Sequence, residues 1–202
     1  MATRVWLKVM ILSMGVFLWG CTPTSDQQLV VFLVRHAEKV DQSRNSDLSE
    51  DGYLRAEELA RTLADASIGH IHSTDFIRTR KTAEPVAALF GLEIELYDHK
   101  DLFAFSDSLK ARGGRHLVVG HSTTTPALVE ILGGDAGTAI EENYEYDRLY
   151  IITISKYEVN TVLLRYGKPC SSLPSKISAS SLEVPQISGS ALKSSQTLGL
   201  PG

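Results

Sequence analysis

Cysteine is scarce in this chain. Only Cys21 and Cys170 occur in 202 residues, far apart, with no CxxC pair and no metal-ligand spacing. That excludes a disulfide scaffold, a zinc module of the familiar spacings and a dithiol redox centre. A basic excess is missing as well: 20 Lys and Arg against 24 Asp and Glu leave a formal net charge of −4, the wrong sign for the field that a nucleic-acid binder needs. The balance does not exclude an anionic small molecule, because a few local Arg and His residues can define its pocket. There is no internal repeat. The hydrophobic content, 43%, supplies one domain with a core of its own.

The first 28 residues stand apart from that domain. Arg4 and Lys8 precede an apolar run over residues 9–19, which ends in Leu18-Trp19-Gly20-Cys21. A basic stretch followed by a short apolar one is the pattern of a secretory signal, and the run is shorter than the ~20 residues that span a bilayer comfortably. Its last four residues resemble a bacterial lipobox, cut before a lipidated cysteine, although Trp19 is bulky for that pattern. A cleaved signal, an uncleaved anchor and a cytoplasmic chain with an unusual start are the alternatives. With a lipobox, Thr22 after the cysteine resembles the outer-membrane sorting pattern. The expectation is then an exported lipoprotein facing the periplasm, with residues 1–21 as signal, 22–28 as tether and membrane contact through the N-terminal lipid or anchor.

The stretch 29–35 is almost wholly apolar or β-branched and predicts a buried strand, central in a sheet covered on both faces. Arg35, His36, Glu38 and Lys39 arrive together at its end. A helix is expected from Ser49, a suitable N-cap with acidic residues after it, to about Asp65. A short strand over 71–73 leads to a helix over 77–90 that contains Pro85. An edge strand near Ile94 and Leu96, a helix between Asp98 and Arg112, and a strand over 116–120 follow. Pro126 suits the first turn of a helix reaching Leu132, and runs 148–155 and 160–166 read as a closing hairpin. The order predicts an α/β fold: a three-layer αβα sandwich with a mostly parallel sheet and an antiparallel edge element. Residues 29–166 are assigned to the domain, and the Ser-rich stretch 167–202 to a disordered tail.

Open α/β sheets hold their chemistry at the carboxyl ends of strands. Arg35, His36 and His121 stand at two such ends, and Arg78 and Arg80 at the start of the second helix. Two imidazoles among guanidiniums, without clustered carboxylates, repel a metal ion but match a phosphoryl dianion. The plain alternative is that His36 is a satisfied residue near the surface and His121 a loop residue at a helix start.

A resemblance bears on that choice. Arg35-His36-Ala37-Glu38-Lys39 resembles the Arg-His signature of the histidine phosphatase superfamily, also called phosphoglycerate mutase-like. Leu48-Ser49-Glu50-Asp51-Gly52 with Ala56, Leu59 and Ala60 is similar to its first helix. Ser73 and Thr74, with Arg78 four residues before Thr82-Ala83, resemble its second block, and Val118-Val119-Gly120-His121-Ser122 resembles its Gly-His block. The resemblance implies a phosphoglycerate mutase-like fold and a catalytic set of His36, Arg35, Arg78 and His121. His36 would be the nucleophile and the other three would neutralise the phosphoryl oxygens, with Ser122 or Thr123 as a further donor. No metal or organic cofactor is implied. The substrate would be a small phosphorylated molecule, including a sugar or envelope glycolipid phosphate.

The pattern departs from the family after the third strand, where many members carry a carboxylate that protonates the leaving alcohol. Here Tyr97-Asp98-His99-Lys100-Asp101 offers no clear match. Asp98 is the nearest carboxylate, with a helix cap or loop residue as its alternative. At most a weak general acid is therefore expected. The short insertions are similar to the branch of phosphohistidine phosphatases and a lipopolysaccharide heptose-phosphate phosphatase. A catalytically inactive phosphate binder on the same scaffold is the rival of another class.

Overall fold

A computed structural model describes residues 28–170. The expected signal, its lipobox-like end and nearly all of the tether fall on residues 1–27, and most of the expected tail on 171–202, outside the described residues.

The elements run β1 (Leu29–Arg35), α1 (Glu50–Thr62), β2 (His70–Ser73), α2 (Ile77–Phe90), β3 (Ile94–Leu96), α3 (Leu102–Arg112), β4 (Gly114–Gly120), α4 (Thr124–Ile131), β5 (Arg148–Ile154) and β6 (Val159–Arg165). The strands form one sheet in the order β3-β2-β4-β1-β5-β6. The first four of these pair in parallel, while β5 and β6 add antiparallel at one edge. This is the mostly parallel three-layer αβα sandwich that the sequence predicts.

Every residue of β1 is buried because both faces of the sheet are covered there. Val30, Phe32 and Val34 pack with Leu59 of α1 and its C-cap Leu63, and with Ala83, Val86 and Ala87 of α2. Leu29, Val31 and Leu33 pack with Leu109 of α3 and with Leu128 and Val129 of α4. The alternation follows from the two-residue period of a strand. Ser49 caps α1 through its hydroxyl, which accepts from Gly52 N at 3.2 Å. A side chain at Gly52 would collide with the Glu38 carbonyl, so α1 is held close to the end of β1.

Several boundaries differ from expectation. Asp101 caps α3, which therefore starts four residues after Asp98. Gly114 opens β4 rather than separating it from α3. By contrast, α2 runs over Ile77–Phe90 with Pro85 inside it, as expected. Residues 167–170, assigned to the tail from sequence, are docked on the domain. Arg55 donates to the Tyr166 and Lys168 carbonyls at 3.0 Å each, and the buried Cys170 thiol accepts from Tyr146 N at 3.3 Å.

Candidate active site

The pairing of β1 with β4 brings two histidine-bearing strand ends together: Arg35 is in register with Gly120, and His36 N donates to Gly120 O at 2.9 Å. On the other side of β4 stands β2, whose end delivers Thr74. Gly120 is needed at this junction, since a Cβ would meet the hydroxyls of Thr125, Tyr97 and Thr124 within about 3 Å. The start of α2 completes the arrangement. Its amide at Ile77 has no cap of its own and is capped by Asn45 Oδ1 at 2.9 Å, from the loop after β1.

His36 is buried and its tautomer is fixed. Nδ1 lies 2.8 Å from the Ala37 carbonyl. A carbonyl only accepts, so Nδ1 carries the proton and Nε2 keeps its lone pair. Burial chiefly pushes the pKa of His36 down to about 2, against the Ala37 carbonyl, and Arg35, Arg78 and His121 add to the depression. The ring is neutral at neutral pH, as a nucleophile requires. Thr82 fixes this turn from α2: its hydroxyl accepts from Ala37 N at 3.0 Å and donates to Arg78 O at 2.7 Å. The four-residue spacing from Arg78 to Thr82 thus puts one helical turn against His36.

His121 is fixed with equal economy. Arg78 Nη2 lies 3.3 Å from its Nδ1, and a guanidinium only donates, so Nδ1 accepts. Nε2 then donates to Thr74 Oγ1 at 2.9 Å, and Thr74 is joined to Thr79 Oγ1 at 3.0 Å. Burial, followed by Arg78, lowers the pKa of His121 to about 4. Its ring meets that of His36 edge-on, centroids 5.6 Å apart.

The two guanidiniums share one feature. Arg35 is 1% exposed and spends its terminal nitrogens on the carbonyls of Glu141, Glu142 and Glu145 at 2.7–3.3 Å, with the Tyr146 ring 4.1 Å away. Its Nε is buried without a partner. Arg78 donates to Arg44 O at 2.9 Å and covers Phe76 at 4.4 Å, and its Nε is again buried without a partner. Leaving such a donor unmatched costs about 1–3 kcal/mol. A phosphoryl dianion brings the missing acceptors. Burial lowers the pKa of both groups, which sharpens their need for an anion.

Of the residues named from sequence, His36, Arg78 and His121 are brought together directly. Arg35 joins them mainly through Nε, because the loop after α4 holds its other nitrogens. Arg80 pairs with Asp75 at 2.8 Å and stands aside. Ser122 and Thr123 line a cavity of about 400 Å³ with Glu130 and Glu142, and it is the Thr124 hydroxyl that accepts from His121 N, at 3.0 Å. Asp98 accepts from Lys100 N at 2.9 Å, the loop role that was its alternative. Among the described residues no group of three or more His, Cys, Asp or Glu is placed to hold a metal ion.

Sequence reasoning missed Thr74, Thr82 and the Glu38–Arg55 pair. Arg55 reaches the Glu38 carboxylate at 2.7 Å and ties the loop after His36 to α1. A buried arginine on an otherwise apolar helix face was the available signal.

The fold and the strand-end histidines define a class, and comparison with known proteins agrees. Residues 31–101 match the model of the histidine phosphatase superfamily (branch 1), and the chain carries the phosphoglycerate mutase-like fold of that superfamily. Among individual relatives, a probable phosphoglycerate mutase, GpmB, of Photorhabdus laumondii subsp. laumondii is 39% identical over 75 residues. The match covers 34% of this chain and 35% of that one, so the chain spans about a third of the length of that curated relative. The protein histidine phosphatase SixA complexed with tungstate superposes with a TM-score of 0.54 at 19% identity, over 70% of this chain and 97% of the other. A putative phosphohistidine phosphatase SixA from Agrobacterium tumefaciens gives 0.53 at 22% identity, over 67% and 97%. A putative alpha-ribazole-5'-P phosphatase from Escherichia coli gives 0.52 at 15%, over 68% and 96%. These likenesses are of fold.

Proposed function

We propose that this chain hydrolyses phosphomonoesters through a phosphohistidine on His36, without a metal ion. The observation that carries the reading is the pair of buried Nε–H donors on Arg35 and Arg78, unmatched and flanking a neutral imidazole with a free Nε2 lone pair. His36 Nε2 attacks phosphorus, and Arg35, Arg78 and His121 stabilise the charge gathered on the equatorial oxygens. Neutral His121 accepts from Arg78, so to donate to a phosphoryl oxygen it must take a proton at Nδ1, which a nearby dianion favours. Water then attacks the phosphohistidine and frees phosphate.

The substrate is a small phosphorylated molecule, with a sugar or envelope glycolipid phosphate as the reading that fits an exported chain. Export rests on Arg4, Lys8, the apolar run 9–19 and Gly20-Cys21. Assay of the purified protein on sugar phosphates, lipid phosphates and a phosphopeptide tests the activity. Hydrolysis that disappears in His36→Ala supports it. Tight phosphate binding without turnover on any of them points to the non-catalytic phosphate binder instead. Mass spectrometry of the mature protein from a bacterial host tests export, since a diacyl or triacyl Cys21 at the N-terminus is expected. An intact Met1 on the membrane-bound form contradicts processing.

A further inference from the structure

The carboxylate that the sequence offers as an acid is committed elsewhere, but the next residue is not. Asp98 is exposed and turns back on Lys100 N. His99 instead points its ring into the site's aromatic edge. It meets His121 edge-on with centroids 5.7 Å apart at 66°, and Phe76 with centroids 5.7 Å apart at 64°. Phe76 packs on His121 at 5.1 Å and lies under the Arg78 guanidinium, so the wall that positions His99 belongs to the phosphate-binding groups.

His36 and His99 therefore both neighbour the His121 ring, with centroid spacings of 5.6 and 5.7 Å. His36 is buried at the strand end, whereas His121 and His99 are half-buried. A phosphoryl group attacked by His36 in line expels its leaving oxygen on the side away from His36, and His99 is the half-buried ring reached from His36 across His121. On the phosphohistidine reading above, we propose that His99 is the proton donor to that leaving oxygen and the base for the water that follows.

The roles of the other two rings leave this one to His99. His36 must keep an unprotonated Nε2, and His121 is committed on the reading above to an equatorial phosphoryl oxygen through Nδ1, with Nε2 held by Thr74. An imidazole can hold and release a proton near neutral pH, the property that general acid–base catalysis needs. The charged and titratable groups around it are Arg78 from α2, His121 after β4, and Asp98, Lys100 and Asp101 on its own loop. In the first step the bond from His36 Nε2 to phosphorus forms, the bond from phosphorus to the alkoxy oxygen breaks, and the proton of the His99 imidazolium passes to that oxygen. In the second, water adds to phosphorus, the P–N bond breaks, and a water proton restores the His99 imidazolium while phosphate departs.

The test compares wild type with His99→Gln and His99→Asn, which keep a polar side chain but have no proton to transfer. The substrates are glycerol 3-phosphate, whose alkoxide leaves poorly, and p-nitrophenyl phosphate, whose leaving group needs no acid. A loss of about 10²–10⁴-fold in kcat/KM on the alkyl ester, with under about tenfold on the aryl ester, is expected. The alkaline limb of the kcat/KM profile on glycerol 3-phosphate should also vanish in the variants. Equal losses on both substrates, or an unchanged profile, overturn the assignment. Rapid-quench trapping of phosphoenzyme in wild type separates the levels. With phosphohistidine present and the alkyl-to-aryl ratio unaltered in the variants, only the role of His99 falls. With no phosphohistidine, this role and the proposed function fall together.

Discussion

Histidines cluster in two places on this sheet. At the carboxyl ends of β1 and β4, beside Thr74 at the end of β2, stand His36 and His121, with half-buried His99 against the His121 ring. Toward the beginnings of β2 and β4, His70 stacks on His116 at 4.7 Å, and His72 on His116 at 5.2 Å. Both clusters are wired from a backbone carbonyl. His116 Nε2 donates to Gly113 O at 2.7 Å, so its Nδ1 accepts from His72 Nε2 at 2.9 Å. In each, burial lowers the pKa of particular rings, taking His72 to about 4 much as it does His121. The difference lies in the neighbouring charges. In the second cluster Arg112 is paired with Glu95 at 2.6 Å, and Glu95 also lies 3.4 Å from His70. In the first, two guanidiniums keep buried Nε donors without acceptors. A depressed histidine is therefore a mark of burial, and unmatched cations beside one are the mark of an anion site.

Substitution breaks the comparison most sharply at the two buried rings. His36→Ala should lose at least about 10⁴-fold in kcat, since removal of a covalent nucleophile leaves only binding and charge stabilisation. His72→Gln, in the other cluster, should turn over like wild type. Comparable losses in steady-state assays would mean that both clusters serve catalysis. Among the cations, Arg78→Ala should cost about 10²–10³-fold in kcat, the range for one preorganised donor to developing charge. Arg112→Ala breaks an exposed pair and should change stability by about 1 kcal/mol or less, with kcat retained.

Acid sharpens what the clusters share. A histidine whose folded pKa lies below its unfolded value of about 6.5 binds fewer protons in the native state below that pH. The stability present above pH 6.5 should therefore fall as pH drops toward the folded pKa of His72, about 4. His72→Gln should remove on the order of 3 kcal/mol of that decline, read from denaturant midpoints between pH 7 and pH 4. An unchanged pH slope would show that His72 is not held neutral. The smallest effect belongs to the site alone. Sulfate, a dianion that does not titrate near pH 7, should bind with uptake of about one proton as His121 gains its Nδ1 hydrogen. Calorimetry in buffers of different ionisation enthalpy reads the uptake, and none at all contradicts the hydrogen-bond polarity assigned to His121.

The sequence carried much of this arrangement because the central strands announce themselves. Continuous apolar character over 29–35 and 117–119 could only be buried on both faces, and both runs end in the histidines that matter. The Arg78–Thr82 spacing was readable as well, although the contact of Thr82 with Ala37 N was not, since a helix face does not name the backbone it will touch. What stayed hidden rests on main-chain acceptors and long separations. The carbonyls of Glu141, Glu142 and Glu145 that hold Arg35 leave no side-chain pattern. The same is true of the Tyr166 and Lys168 carbonyls, which dock residues 167–170 on Arg55. No carboxylate after β3 matches an acid in the sequence, and Asp98 takes the loop role that was its alternative, while the contact of His99 with the His121 ring leaves no sequence pattern. The strand expected over 116–120 starts earlier, at Gly114, because Gly113 and Gly114 together turn the chain out of α3, at φ 60° and 90°.

The central claim is that the unmatched donors of Arg35 and Arg78 serve a phosphoryl group carried on His36. Rapid quench of the full chain with a labelled monoester tests it most directly. An acid-labile, alkali-stable phosphoenzyme should form within one turnover, with the label on His36 by peptide mapping, and should be absent in His36→Ala. Hydrolysis without a trapped intermediate, together with inversion of configuration at phosphorus, would contradict it by showing direct attack of water.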